Sequence, residues 1–67
     1  MDIRVKFGKR VRKARLAKGF SQEELAHEAD SNRTYISDVE RGTRNPSIEV
    51  VERIAKALGV SMGHLLD

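Results

Sequence analysis

The stretch SQEELAHEADSNRTYISDVERG, residues 21–42, decides the fold. Ser21 with Glu24 three residues on is a capping box, in which each side chain satisfies the other's free backbone N–H. Leu25, Ala26 and Ala29 form the inner face of a short helix over about 22–29. Asp30 breaks that pattern. Asn32 is a good N-cap for a second helix over about 33–41, which Gly42 terminates. Leu25, Ala29, Ile36 and Val39 supply the apolar contacts that hold the two helices across one another, and Ala26 is small where they cross closely. Two short helices, a tight turn and a shared apolar seam are the parts of a helix-turn-helix.

Outward from this pair the chain stays helical. On the N-terminal side, Phe7, Val11 and Ala14 make one stripe over about 3–18, and Gly19 supplies the stop. On the C-terminal side, Pro46 holds residues 43–46 as a loop. Ser47 caps a helix over about 48–58 whose Ile48, Val51, Ile54, Ala55 and Leu58 share a face, and Gly59 ends it. Ser61 caps a last turn over about 62–66 with Met62, Leu65 and Leu66. No five-residue run alternates as a strand would. The reading is an all-α, compact five-helix bundle with a helix-turn-helix, a single domain over 1–67.

The second helix of the pair has two unlike faces. At about 100° per residue, Ile36 and Val39 point into the core. Arg33, Thr34, Ser37, Asp38 and Arg41 lie opposite, with donors and acceptors and almost no apolar bulk. An arginine here can donate two hydrogen bonds to guanine O6 and N7, while threonine and serine can meet either base edge. Alone, such a face is an ordinary solvated surface; after a capped helix and a tight turn it reads as a recognition helix lying in a DNA major groove.

Charge is unevenly placed. The net is +3, but residues 1–19 sum to +7, 20–40 to −5, 41–47 to +2 and 48–67 to −1. On charge alone, a solvated face and a pair of phosphate-contacting elements fit equally well. Other functions find little purchase. Cysteine is absent, and His27 and His64 are isolated, so no metal site and no cofactor are expected. No Ser/His/Asp grouping or phosphate-cradling glycine loop supports catalysis. The aromatics are Phe7, Phe20 and Tyr35, two of them core-like, which leaves no stacking platform for RNA. No membrane-length apolar run or signal peptide is present, so the expectation is a cytoplasmic protein with no membrane partner and no small-molecule ligand.

Gly8, Val11, Arg15, Gly19, Ser21 to Ala26, Tyr35-Ile36-Ser37, Glu40-Arg41-Gly42, Pro46-Ser47 and Ile54 to Val60 strongly resemble the Cro/lambda-repressor helix-turn-helix family. Asn32 to Ser37 and Arg41 to Asn45 look most like the controller proteins of restriction–modification systems. The resemblance implies a transcriptional regulator of double-stranded DNA that binds a palindromic operator. Position by position, it places Asn32, Arg33, Thr34 and Ser37 at bases. Gln22, Tyr35, Arg44 and Asn45 fall at phosphates, and Arg15 with Glu40 in a structural ion pair. It also implies a homodimer, with Val60, Met62 and Leu66 at the interface and Leu65 more of the core. An antitoxin-type protein that binds a partner protein as well as DNA is the alternative; its partner-binding segment would ordinarily follow Asp67.

Three positions depart from the family pattern. Asp30 stands where glycine usually takes the left-handed turn position, a conformation aspartate tolerates at some cost. Ser31 replaces an aliphatic residue, which predicts a loosely packed turn. Ala14 replaces a leucine, which leaves the stripe of the first helix thin.

Overall fold

Every helix begins at a residue whose side chain accepts a backbone N–H of its first turn. The computed structural model describes residues 2–67. It contains α1 (Ile3–Lys18), α2 (Gln22–Glu28), α3 (Arg33–Glu40), α4 (Ile48–Leu58) and α5 (Met62–Leu66), and among the described residues no strand. The caps are Asp2, Ser21, Asn32, Ser47 and Ser61, so each start has a local chemical cause. Around Ser21 both halves of the capping box form: Glu24 N–H donates to Ser21 Oγ (3.0 Å), and Ser21 N–H to Glu24 Oε1 (2.8 Å).

Two helices end one residue earlier than their sequence pattern. Ala29 caps α2 because the chain must then pass through Asp30, whose φ of 55° is left-handed. Arg41 likewise caps α3 ahead of Gly42, at φ 78°. The turn does not depend on the missing aliphatic side chain at Ser31. Ser31 is half-buried, and its N–H donates to the Ala26 carbonyl (2.7 Å) while Asp30 N–H donates to that of His27 (3.2 Å). Backbone bonds hold the turn that the sequence leaves short of apolar packing.

The core draws on all five helices: Phe7 and Val11 from α1, Leu25 and Ala26 from α2 with Ala29 at its cap, Ile36 and Val39 from α3, Val51, Ile54, Ala55 and Leu58 from α4, and Leu65 from α5. Burying each of the phenylalanine, valine, leucine and isoleucine side chains among them stabilises by about 1.5–3 kcal/mol. α1 packs on α3 and α5, α2 on α3 and α4, and α5 closes the bundle against α1 and α4. α1 approaches α3 at Gly8, where a β-carbon would lie 2.3 Å from the Val39 carbonyl oxygen. The thin stripe at Ala14 leaves a groove of about 760 Å³ between α1 and the end of α4, floored partly by Ala14, Ala17, Leu58 and Val60.

Ile48 corrects the sequence pattern. It continues the apolar stripe of α4 by spacing, yet it is 73% exposed. The stripe runs one turn beyond the core that the other helices can cover.

Candidate nucleic-acid interface

α3 is fastened along its inner side and open along its outer one. Ile36 and Val39 are buried, whereas Asn32, Arg33 and Thr34 are exposed and Ser37 and Asp38 half-buried. Asn32 spends one group on the fold: its Oδ1 accepts the Tyr35 N–H (2.8 Å), which leaves the amide NH2 to face outward. Arg33 stands apart from the other arginines on and around α3. Among the described residues no carboxylate pairs with it, whereas Arg15, Arg41 and Arg44 each have an acidic partner. Its five donors are therefore free for another molecule.

Behind the helix lies a network that spans three elements. Arg15 Nε donates to Glu40 Oε2 (2.7 Å) and Nη2 to Oε1 (3.1 Å), a two-bond pair between α1 and the last turn of α3. Gln22 Nε2 donates to Glu40 Oε1 (3.2 Å), and Arg15 Nη1 to the Phe20 carbonyl (2.8 Å). Gln22, at the start of α2, thus touches α3 directly and keeps one amide N–H for other partners. Sequence reasoning missed Arg53. Its Nε, on α4, donates to the Ala29 carbonyl (3.0 Å) at the end of α2, a cation at a helix C-terminus that braces the turn. An arginine on the polar edge of an amphipathic helix carries no spacing signal for such a role.

Past the end of α3, Arg44 lies over the Tyr35 ring, 4.7 Å from its centroid, and its Nε is 3.9 Å from Asp38 Oδ2. Arg41 pairs with the same carboxylate through Oδ1. Asn45 is exposed and borders an apolar hollow with Ile3, Phe7, Pro46, Val51 and Leu66. Two carboxyls are held below their ordinary range. Glu24 is lowered by the Ser21 backbone N–H and then the Ser21 hydroxyl, and Asp2 by the Arg4 guanidinium and backbone N–H.

The C-terminal residues divide. Val60 and Met62 are half-buried against the core, and Leu65 is inside it. Leu66 is 38% exposed and joins Ile3 and Ile48 among the uncovered large apolar side chains. Among the described residues no group of acidic and histidine side chains gathers at metal-binding range, and no helix is long and apolar enough to cross a membrane.

A capped two-helix unit whose second helix turns an unpaired arginine and short polar side chains outward defines a DNA-binding helix-turn-helix protein. The chain belongs to the helix-turn-helix family of the Cro/lambda-repressor type, whose family profile, described as "Helix-turn-helix", matches residues 11–65. It is 58% identical over 67 residues to control protein C.BamHI of Bacillus amyloliquefaciens, covering 98% of this chain and 83% of that protein. It is 40% identical over 67 residues to control protein C.MunI of a Mycoplasma species, covering 98% and 90%. The crystal structure of the restriction–modification controller protein C.AhdI from Aeromonas hydrophila superposes with a TM-score of 0.90 at 45% identity, covering 92% of this chain and 90% of that one. The protein is a DNA-binding transcription regulator.

Proposed function

We propose that the protein binds a palindromic operator as a two-fold dimer and controls transcription for a restriction–modification system in the cytoplasm. The observation that carries this reading is the outward face of α3, where Arg33 has no carboxylate partner among the described residues and the short Thr34 and Ser37 stand beside it. Arg33 supplies a bidentate contact to guanine; Thr34, Ser37 and the Asn32 amide NH2 read neighbouring edges. Gln22 at the head of α2, Tyr35 on the flank of α3, and Arg44 and Asn45 in the loop meet phosphates, which fix register and carry no sequence information of their own.

Size supports a dimer. The longest principal extent of one copy is 28 Å, shorter than the roughly 34 Å between successive major-groove faces on one side of the duplex. The uncovered Leu66 borders the same hollow as the uncovered Ile3, and Val60 and Met62 are only partly buried; these offer apolar surface for a second copy. Relatives named as control proteins, and a structural neighbour titled a restriction–modification controller protein, support the biological setting. Selection of binding sites from random duplex DNA tests the proposal: a palindromic consensus is expected. An asymmetric consensus, or sedimentation showing only monomer on the selected duplex, contradicts it.

A further inference from the structure

We propose that Asp38 is an intramolecular stand-in for a DNA phosphate, holding Arg41 and Arg44 in the free protein and competing with the duplex for Arg44. The inference rests on the DNA-binding reading above and adds a residue to it. A carboxylate on the outward side of α3 is unexpected on two grounds. It sits in the C-terminal half of the helix, where the dipole disfavours a negative charge, and on a face that meets a polyanion.

Its surroundings explain its presence. The side chain is only 22% exposed, and two arginines reach it, Arg41 on Oδ1 and Arg44 3.9 Å from Oδ2. Tyr35, three residues earlier on α3, lies beneath the Arg44 guanidinium. Thr43 ties the loop to the same residue, its N–H and its Oγ1 each reaching the Asp38 carbonyl at 3.1 Å. Asp38 therefore organises residues 41–44 through both its backbone and its carboxylate.

A guanidinium donates to carboxylate and phosphate with the same planar fork. When DNA arrives, the phosphate takes the place of Asp38 at Arg44. The carboxylate loses part of its compensation and stands near a like charge. Asp38 is thus a positioning residue that restrains affinity for any duplex regardless of sequence. Because Arg44 arrives already paired, its phosphate contact also releases less net counterion than a free arginine would.

The test measures binding of wild type, Asp38→Asn, Arg44→Ala and the double variant to a selected operator and a scrambled duplex over about 50–200 mM salt. Asp38→Asn keeps the shape and removes the charge. It should tighten binding to both duplexes by on the order of three- to tenfold at low salt, and steepen the salt slope by a part of the roughly 0.9 that one full phosphate contact contributes. At least half of that gain should disappear in the Arg44→Ala background, and Asp38→Glu should restore the wild-type slope. If Asp38→Asn weakens only the operator and shifts a base preference, Asp38 reads a base and the inference falls. Unchanged affinity and slope on both duplexes reduce the contact to a solvated surface pair, which also overturns it. Wild-type protein that binds neither duplex overturns the DNA-binding reading itself.

Discussion

Arg15 and Glu40 lie 25 positions apart in the chain and meet through two hydrogen bonds, with side chains only 10% and 4% exposed. This contact fixes the end of α3 to α1. Removing one partner of a buried pair leaves an uncompensated charge and can cost about 3–5 kcal/mol. Glu40→Ala should therefore melt far below wild type, while Glu49→Ala, exposed on the first turn of α4, should shift melting only slightly. Thermal denaturation followed by circular dichroism compares them; equal shifts would reduce the pair to a surface contact.

Gly8→Ala probes the same junction through the backbone. The added β-carbon would lie 2.3 Å from the Val39 carbonyl oxygen and 2.9 Å from that of Glu40. Backbone cannot swing aside as a side-chain end can, so α1 must lift from α3. Overpacking of this kind costs about 1–3 kcal/mol. A drop in melting temperature of at least ~5 °C is expected for a domain this small.

Asp30→Gly should act in the opposite direction. Aspartate at φ 55° occupies a conformation glycine adopts without steric penalty. Relief of that strain, offset by greater freedom of the unfolded chain, leaves a gain of about 0.5–1 kcal/mol. Chemical denaturation measures it, and a loss of stability would show that the Asp30 side chain contributes a contact of its own.

The capping box gives a signed pH dependence. The Ser21 backbone N–H donates to the Glu24 carboxyl and, with the Ser21 hydroxyl, holds it below its ordinary 4.5. A depressed carboxyl stabilises the fold fully above its unfolded value, and the contribution is lost as pH falls through the lower folded value. Glu24→Gln keeps the acceptor but does not titrate. The stability difference between wild type and this variant should stay constant at neutral pH and shrink once acidification passes below about 4.5.

Local chemistry made much of this protein legible from sequence. The caps at Ser21, Asn32, Ser47 and Ser61 and the stops at Gly19, Gly42 and Gly59 are short-range signals, and they mark the helix ends to within about one residue. What was not legible is long-range. The exposure of Ile48 depends on where the other helices run out, and periodicity cannot show that. Arg53 reaches Ala29 across 24 positions, and Arg44 reaches Tyr35 and Asp38 through a loop whose path the residues alone leave open. The sequence marks Asn32 as a cap, and the family resemblance places the same residue at a base. Only the geometry shows that the cap takes its oxygen and leaves its nitrogen.

The division of labour between Arg33 and Arg44 is the centre of this account. At the first turn of α3, Arg33 has no carboxylate partner among the described residues; Arg44 sits in the following loop, against Tyr35 and Asp38. The most direct measurement is binding of Arg33→Ala and Arg44→Ala to operator and scrambled duplexes across a salt series. Arg33→Ala should cost about 1–3 kcal/mol on the operator, relax preference at one base pair per half-site, and leave scrambled DNA little changed. Arg44→Ala should weaken both duplexes alike and lower the salt slope by up to about one. If Arg33→Ala weakens both duplexes equally and shifts no base preference, Arg33 is a phosphate contact and the assignment of base reading to this face of α3 is wrong.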